Sequence, residues 1–136
     1  MKPIAITIPL DPRTKKNHAM IAGSGARCPT CKRFLKQFVK QGRAYDEYAA
    51  RAKKYLASVP KDNITGPVNV RYHFYMQTRR LVDQTNLTQA ADDILVDCGI
   101  LADDNSSVIA GHDGTRVYYD KDNPRTEILI TDLEEP

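Results

Sequence analysis

From Val68 to Met76 every second residue is apolar: Val68, Val70, Tyr72, Phe74 and Met76. Period-two alternation puts these side chains on one face of an extended strand and leaves the other face polar, the pattern of a half-buried strand. Such a strand needs a cover. The chain supplies one a few residues on, where Leu87, Ala91, Ile94, Leu95 and Cys98 recur at helical spacing from a start near Asp83. Asp83 suits the N-cap, and Gly99 suits the C′ position. A sheet with helices laid against it is therefore the architecture to expect.

The remaining segments fill in that plan. Ile4 to Leu10 carries Ile4, Ile6 and Ile8 and reads as an opening strand, followed by a basic loop from Asp11 to Asn17. Tyr45 to Leu56 reads as a helix that Pro60 and Lys61-Asp62-Asn63 bring to an end. Ser107–Ala110 and Arg116–Tyr119 read as a hairpin turning at Asp113-Gly114, with a last strand from Thr126 to Thr131. The order β-α-β-α-β-β-β predicts an α+β domain: a single mixed β-sheet with two main helices packed mostly on one face. At 136 residues, one domain spanning 1–136 is expected. No apolar run approaches the roughly 18 residues of a membrane span. The opening residues do not read as a secretion signal, and three cysteines make no secreted disulfide framework, so a cytoplasmic setting is expected.

Charge divides the chain. Residues 1–80 hold 17 Lys and Arg against 4 Asp and Glu, whereas residues 81–136 hold 3 against 13. A basic half suits a polyanion, whose condensed counterions are released on binding. A carboxylate-rich half suits a hard, oxygen-seeking cation such as Mg²⁺. The same division also serves plain solubility, so charge alone leaves both readings open. Asp83, Asp92, Asp93, Asp97, Asp103 and Asp104 fall within one stretch of the acidic half. At 100° per residue, Asn86 and Asp93 border the apolar face of the helix, while Asp92 and Asp97 are expected on its solvated side. Asp103 and Asp104 follow a short link that turns back towards the sheet. One or two carboxylates are enough to hold Mg²⁺, which polarises a phosphoryl oxygen and acidifies a bound water.

The run Arg79-Arg80-Leu81-Val82-Asp83-Gln84-Thr85-Asn86-Leu87, followed by Asp93-Ile94-Leu95, Gly99-Ile100 and Asp103-Asp104-Asn105, resembles the RusA family of Holliday junction resolvases. His112-Asp113-Gly114, Asp122-Asn123-Pro124-Arg125 and Ile8-Pro9-Leu10-Asp11-Pro12 resemble its phage-type members, so the likeness spans most of residues 4–131. The resemblance implies a RusA-like fold and a homodimer that nicks four-way junctions symmetrically, in a bacterial or phage-infected cell. It implies Mg²⁺ as cofactor, with Mn²⁺ able to substitute. By position it assigns Asp83, Asp103 and Asp104 as catalytic metal ligands and Asn86 as a further catalytic residue. Two positions depart from the pattern: Thr85 stands where the family has a second aspartate, and Gln89 where it has a lysine. Asp113 is one substitute for the missing carboxylate; Arg79 or Arg80 is one for the missing cation.

Arg13, Lys15 and Lys16 in the first loop, with Arg79 and Arg80 before the acidic helix, are the expected contacts to DNA phosphates. Residues 23–42 form a basic, cysteine-containing insertion. Its Cys28-Pro29-Thr30-Cys31 is half of a Zn²⁺ site, to be completed by His18 or by the same hook of a second copy, or else two free thiols. Cys98 is expected in the core, and His73 is expected to face outward without a role. Besides the junction resolvase, two further readings stand: a junction-binding protein that has lost catalysis through Thr85 and Gln89, and a nuclease of flaps or forks.

Overall fold

The structure is a computed structural model, and it describes residues 2–15, 20–22, 38–40 and 43–133. Strand β1 (Ile4–Ile8) opens the chain; β2 (Met20–Ala22) and β3 (Phe38–Lys40) pair antiparallel as a separate ribbon. Helix α1 (Arg43–Leu56), strand β4 (Val68–Met76) and helix α2 (Gln84–Asp97) follow, then β5 (Ile109–Gly111), β6 (Arg116–Tyr119) and β7 (Arg125–Asp132). The ribbon apart, this is the expected α+β arrangement: one mixed sheet of five strands and two helices. Cys28, Cys31, His18 and Lys16 lie outside the described residues, as does most of the 23–42 insertion.

β4 is the spine of the sheet. β7 runs antiparallel along one side of it from Val68↔Asp132 to Tyr75↔Arg125, and β1 runs antiparallel on the far side of β7. The alternation read from the sequence is the alternation observed. Val68, Val70, Tyr72 and Phe74 are buried, while Asn69, Arg71, His73 and Tyr75 lie on the opposite face. On the buried face, Tyr48, Ala52 and Leu56 of α1 and Leu87, Ile94 and Leu95 of α2 join the strand residues in one cluster. Both helices therefore cover the same face, and no helix among the described residues lies across the other.

The expected hairpin at Asp113-Gly114 is not formed. β5 and β6 both pair with β4, and both run parallel to it: Val68↔Ile109 at one end and His73↔Arg116 further along. The chain makes a turn at His112–Thr115 and then resumes in the same direction on the same edge. Gly114 takes φ +86°, where a Cβ would stand 2.8 Å from Arg71 Cδ. The ladder is broken over this turn, and side chains fill the gap. Asn69 Oδ1 accepts from the Asp113 amide at 2.8 Å, its Nδ2 donates to the Asp113 carbonyl, and the Tyr72 amide donates to Thr115 Oγ1. A backbone interrupted within a sheet must be satisfied in some way, and here polar side chains do it.

Candidate functional site: an acidic turn, a buried carboxylate and two basic loops

α2 begins where the sequence says it does. Asp83 has extended backbone angles and its Oδ1 accepts from the Thr85 amide at 2.9 Å, satisfying one of the open donors of the first turn. The helix ends at Cys98, with Gly99 at φ +74°. The next residues are drawn back alongside Asn63 and Ile64: the Ile64 amide donates to the Ile100 carbonyl and the Ala102 amide to the Ile64 carbonyl. That short ladder fixes where the acidic turn begins.

In the turn, Asp103 accepts from the Asp104 amide at 2.7 Å and from Asn105 Nδ2 at 3.0 Å. Asn105 Oδ1 in turn accepts from the Ser107 amide. The Asp104 carboxyl is held above its ordinary range. The first cause is a hydrogen bond with the Asp103 carboxyl, then partial desolvation, then the negative charges of Asp93 and Asp103. Two carboxyl groups this close on one turn are a place where a hard cation can be held. The pair suits a hard cation that takes one or two carboxylates and otherwise keeps its water. Among the described residues, however, no three His, Cys, Asp or Glu side chains are gathered as a metal cage. Ten residues of helix separate Asp83 from Asp93, about 15 Å along the axis, and Asp93 is the helix carboxylate whose charge reaches Asp104. The turn thus brings Asp103 and Asp104 together, while Asp83 stands at the start of α2. Asn86 is half-buried on α2.

The basic residues divide. Lys15 gives its ammonium to Asp93 and lies 5.6 Å from the centre of the Tyr45 ring, tying the first loop to α1 and α2. Arg13 pairs with Asp11 at 3.3 Å, and Arg13 and Arg80 line a cleft of about 60 Å³ together with Leu81. Leu81 is 95% exposed between Arg80 and Val82. Arg79 lies 4.2 Å above the Tyr119 ring. Asp113, considered above as a substitute carboxylate, is exposed in its turn and exchanges backbone hydrogen bonds with Asn69.

Asp92 is not on the solvated side of the helix. It is 7% exposed and forms the hub of a buried network. Tyr72 Oη donates to Asp92 Oδ1 at 2.6 Å, and His112 Nε2 lies 3.0 Å from Asp92 Oδ2. Burial and the Asp92 charge together hold the Tyr72 hydroxyl well above its usual range, so it remains a donor. With Nε2 donating to that carboxylate, Nδ1 is the ring nitrogen left towards the cleft. Among the described residues Nδ1 has no hydrogen-bond partner. His112 lines a cleft of about 250 Å³ with Gln84, Thr85, Thr88, Gln89 and Asp92. The two positions that depart from the family pattern, Thr85 and Gln89, thus share one cleft with an imidazole. Sequence reading placed Asp92 by periodicity alone. The available signal was Tyr72, an interior tyrosine on β4 whose hydroxyl needs a partner.

Comparison with protein-family models and with curated proteins finds no match to this chain. No helix among the described residues is long and apolar enough to cross a membrane.

Proposed function

We propose that this chain is a RusA-like, divalent-cation-dependent endonuclease that nicks branched DNA, four-way junctions in particular, as a pair of identical subunits. The observation that carries this reading is the Asp103–Asp104 carboxyl pair in the turn after α2, together with the motif residues that lead to it. Mg²⁺ or Mn²⁺ held by Asp103 and Asp104 would supply electrophilic pull on the phosphoryl oxygen and an acidified water. The chain's own groups do the rest. Arg13 and Arg80, in one cleft, hold phosphates flanking the cut without reading sequence. His112, held by Asp92, presents a ring nitrogen that can take up and return a proton in the cleft it shares with Gln89. Asp83 caps α2 and so sets the helix that carries Asp93 towards the acidic turn. A two-fold substrate is met by two sites under the same symmetry, which is the reason for pairing the subunits.

The test is a denaturing-gel assay on a synthetic four-way junction, with and without Mg²⁺ or Mn²⁺, beside flap and linear duplex. Symmetric, metal-dependent nicks confined to the junction are expected, and Asp104→Asn should abolish them while junction binding persists. Preferential cutting of the flap would move the substrate to flaps or forks. Binding without nicks in either metal would make the chain a junction-binding protein, and normal cutting by Asp104→Asn would remove the assigned site.

A further inference from the structure

The face of the sheet that no described helix covers carries a row of aromatic and cationic side chains. Register sets Tyr75 of β4 opposite Arg125 of β7 on one side and Tyr118 of β6 on the other. The Arg125 guanidinium lies 3.7 Å from the centre of the Tyr75 ring. Tyr75 and Tyr118 are stacked, with centroids 4.9 Å apart and planes 18° from parallel. His73 meets Tyr118 edge-on at 5.4 Å. His73 is itself opposite Arg116, and Arg71 precedes it on the same face of β4. Arg125 is partly neutralised by Asp120 at 2.9 Å and Glu127 at 3.7 Å. Among the described residues, Arg71 and Arg116 enter no salt bridge.

The stack is closed at one end and open at the other. Arg125 caps it on the β7 side; beyond Tyr118 no described strand pairs with the outer edge of β6, and Tyr118 is 38% exposed. An open tyrosine face next to two uncompensated guanidinium groups matches a flat, π-faced group that carries phosphate on either side. A base within a duplex is already stacked on both faces, so the fit is to an unpaired one. A symmetric contact between two copies would press this cationic face against itself, which like charges oppose.

We propose that this face is a stacking platform for an unpaired base of single-stranded DNA, with Tyr118 taking the base and Arg71 and Arg116 the adjoining phosphates. The proposal rests on the reading of the chain as a protein of branched DNA, and deepens it: a base unpaired as the branch opens is held on this face.

The experiment measures binding of the full chain, without divalent metal, to a fluorescent oligothymidine, a duplex of equal length and a four-way junction. Wild type should bind the oligothymidine more tightly than the duplex. Tyr118→Ala should weaken oligothymidine binding about tenfold and leave the duplex unchanged, as expected for one lost base stack. Tyr118→Phe should retain binding, and Tyr55→Ala, an exposed tyrosine on α1, should match wild type. Arg71→Gln with Arg116→Gln should flatten the salt dependence of single-strand binding by about 1.4 in log–log slope, the value for two phosphates. Wild-type binding to oligothymidine no tighter than to duplex overturns the platform. So does unchanged single-strand binding by Tyr118→Ala, or equal loss on duplex and single strand. A fall in subunit number by light scattering without selective loss would also overturn it and assign the face to a second copy. If wild type binds no DNA of any form, the functional reading falls as well; if it binds junctions and Tyr118→Ala is indifferent, only the platform falls.

Discussion

The side chain that ties most of the interior together is Asp92. Its oxygens accept from Tyr72 on the sheet and from His112 in the turn before β6, while its own backbone belongs to α2. Tyr72→Phe removes one hydrogen bond to an ionised group without changing the packing volume. It should cost about 1.5–3 kcal/mol in chemical denaturation. His112→Ala removes the ring from Asp92 and from the cleft together, so its chemistry is read beside a folding control by circular dichroism. If cleavage is observed, the rate should fall about a hundredfold or more at neutral pH, the scale of a lost proton-transfer group, with junction affinity little changed. The sequence could not deliver this network. Helical periodicity states the angle at which Asp92 leaves the axis, but not that a tyrosine twenty residues earlier in the chain has a hydroxyl waiting there.

At the scale of elements, what is decided locally is legible in the sequence. The alternation of β4 is decided within nine residues, and the caps of α2 at Asp83 and Gly99 are decided within a turn of each end. The parallel pairing of β5 and β6 depends instead on which distant edge is vacant. Asp113-Gly114 signals a turn, and there is one; it does not say whether the chain reverses or steps over a gap. The acidic site shows the same limit. The motif places Asp103 and Asp104 in a common turn, whereas the approach of Asp93 to that turn depends on how the chain doubles back after α2. Because Asn69 bridges the broken ladder with both ends of its amide, Asn69→Ala should destabilise the edge. We expect a loss of about 1 kcal/mol and faster amide exchange confined to residues 112–116. Gly66 has φ +71°, and a Cβ on it would meet the Val108 carbonyl oxygen at 2.4 Å. Gly66→Ala should therefore cost well over about 1 kcal/mol, seen as a lowered denaturation midpoint.

For the molecule as a whole, buried tyrosines set the response to alkali. Burial, followed for Tyr45 by the charges of Asp93, Asp97 and Asp46, raises Tyr45 to about 12 from 10.0; burial likewise raises Tyr48 to about 12. Both keep their protons more firmly when folded. Their contribution is complete below pH 10 and is lost as the pH rises through 12, on the order of 2–3 kcal/mol each. Unfolding followed by circular dichroism should therefore begin above pH 10 and be accompanied by a further rise in tyrosinate absorbance from the buried tyrosines. Loss of structure with no further rise in tyrosinate would contradict it. Sheet, helix and edge all meet at a single carboxylate, that of Asp92, so none of them is free to fluctuate alone at that point. A motion that swings His112 out of its cleft must either strip a charged group of its partner or carry α2 with it. The cleft is built to open rarely and as a unit, and relaxation-dispersion signals from His112 and the amide of Asp92 should share one exchange rate.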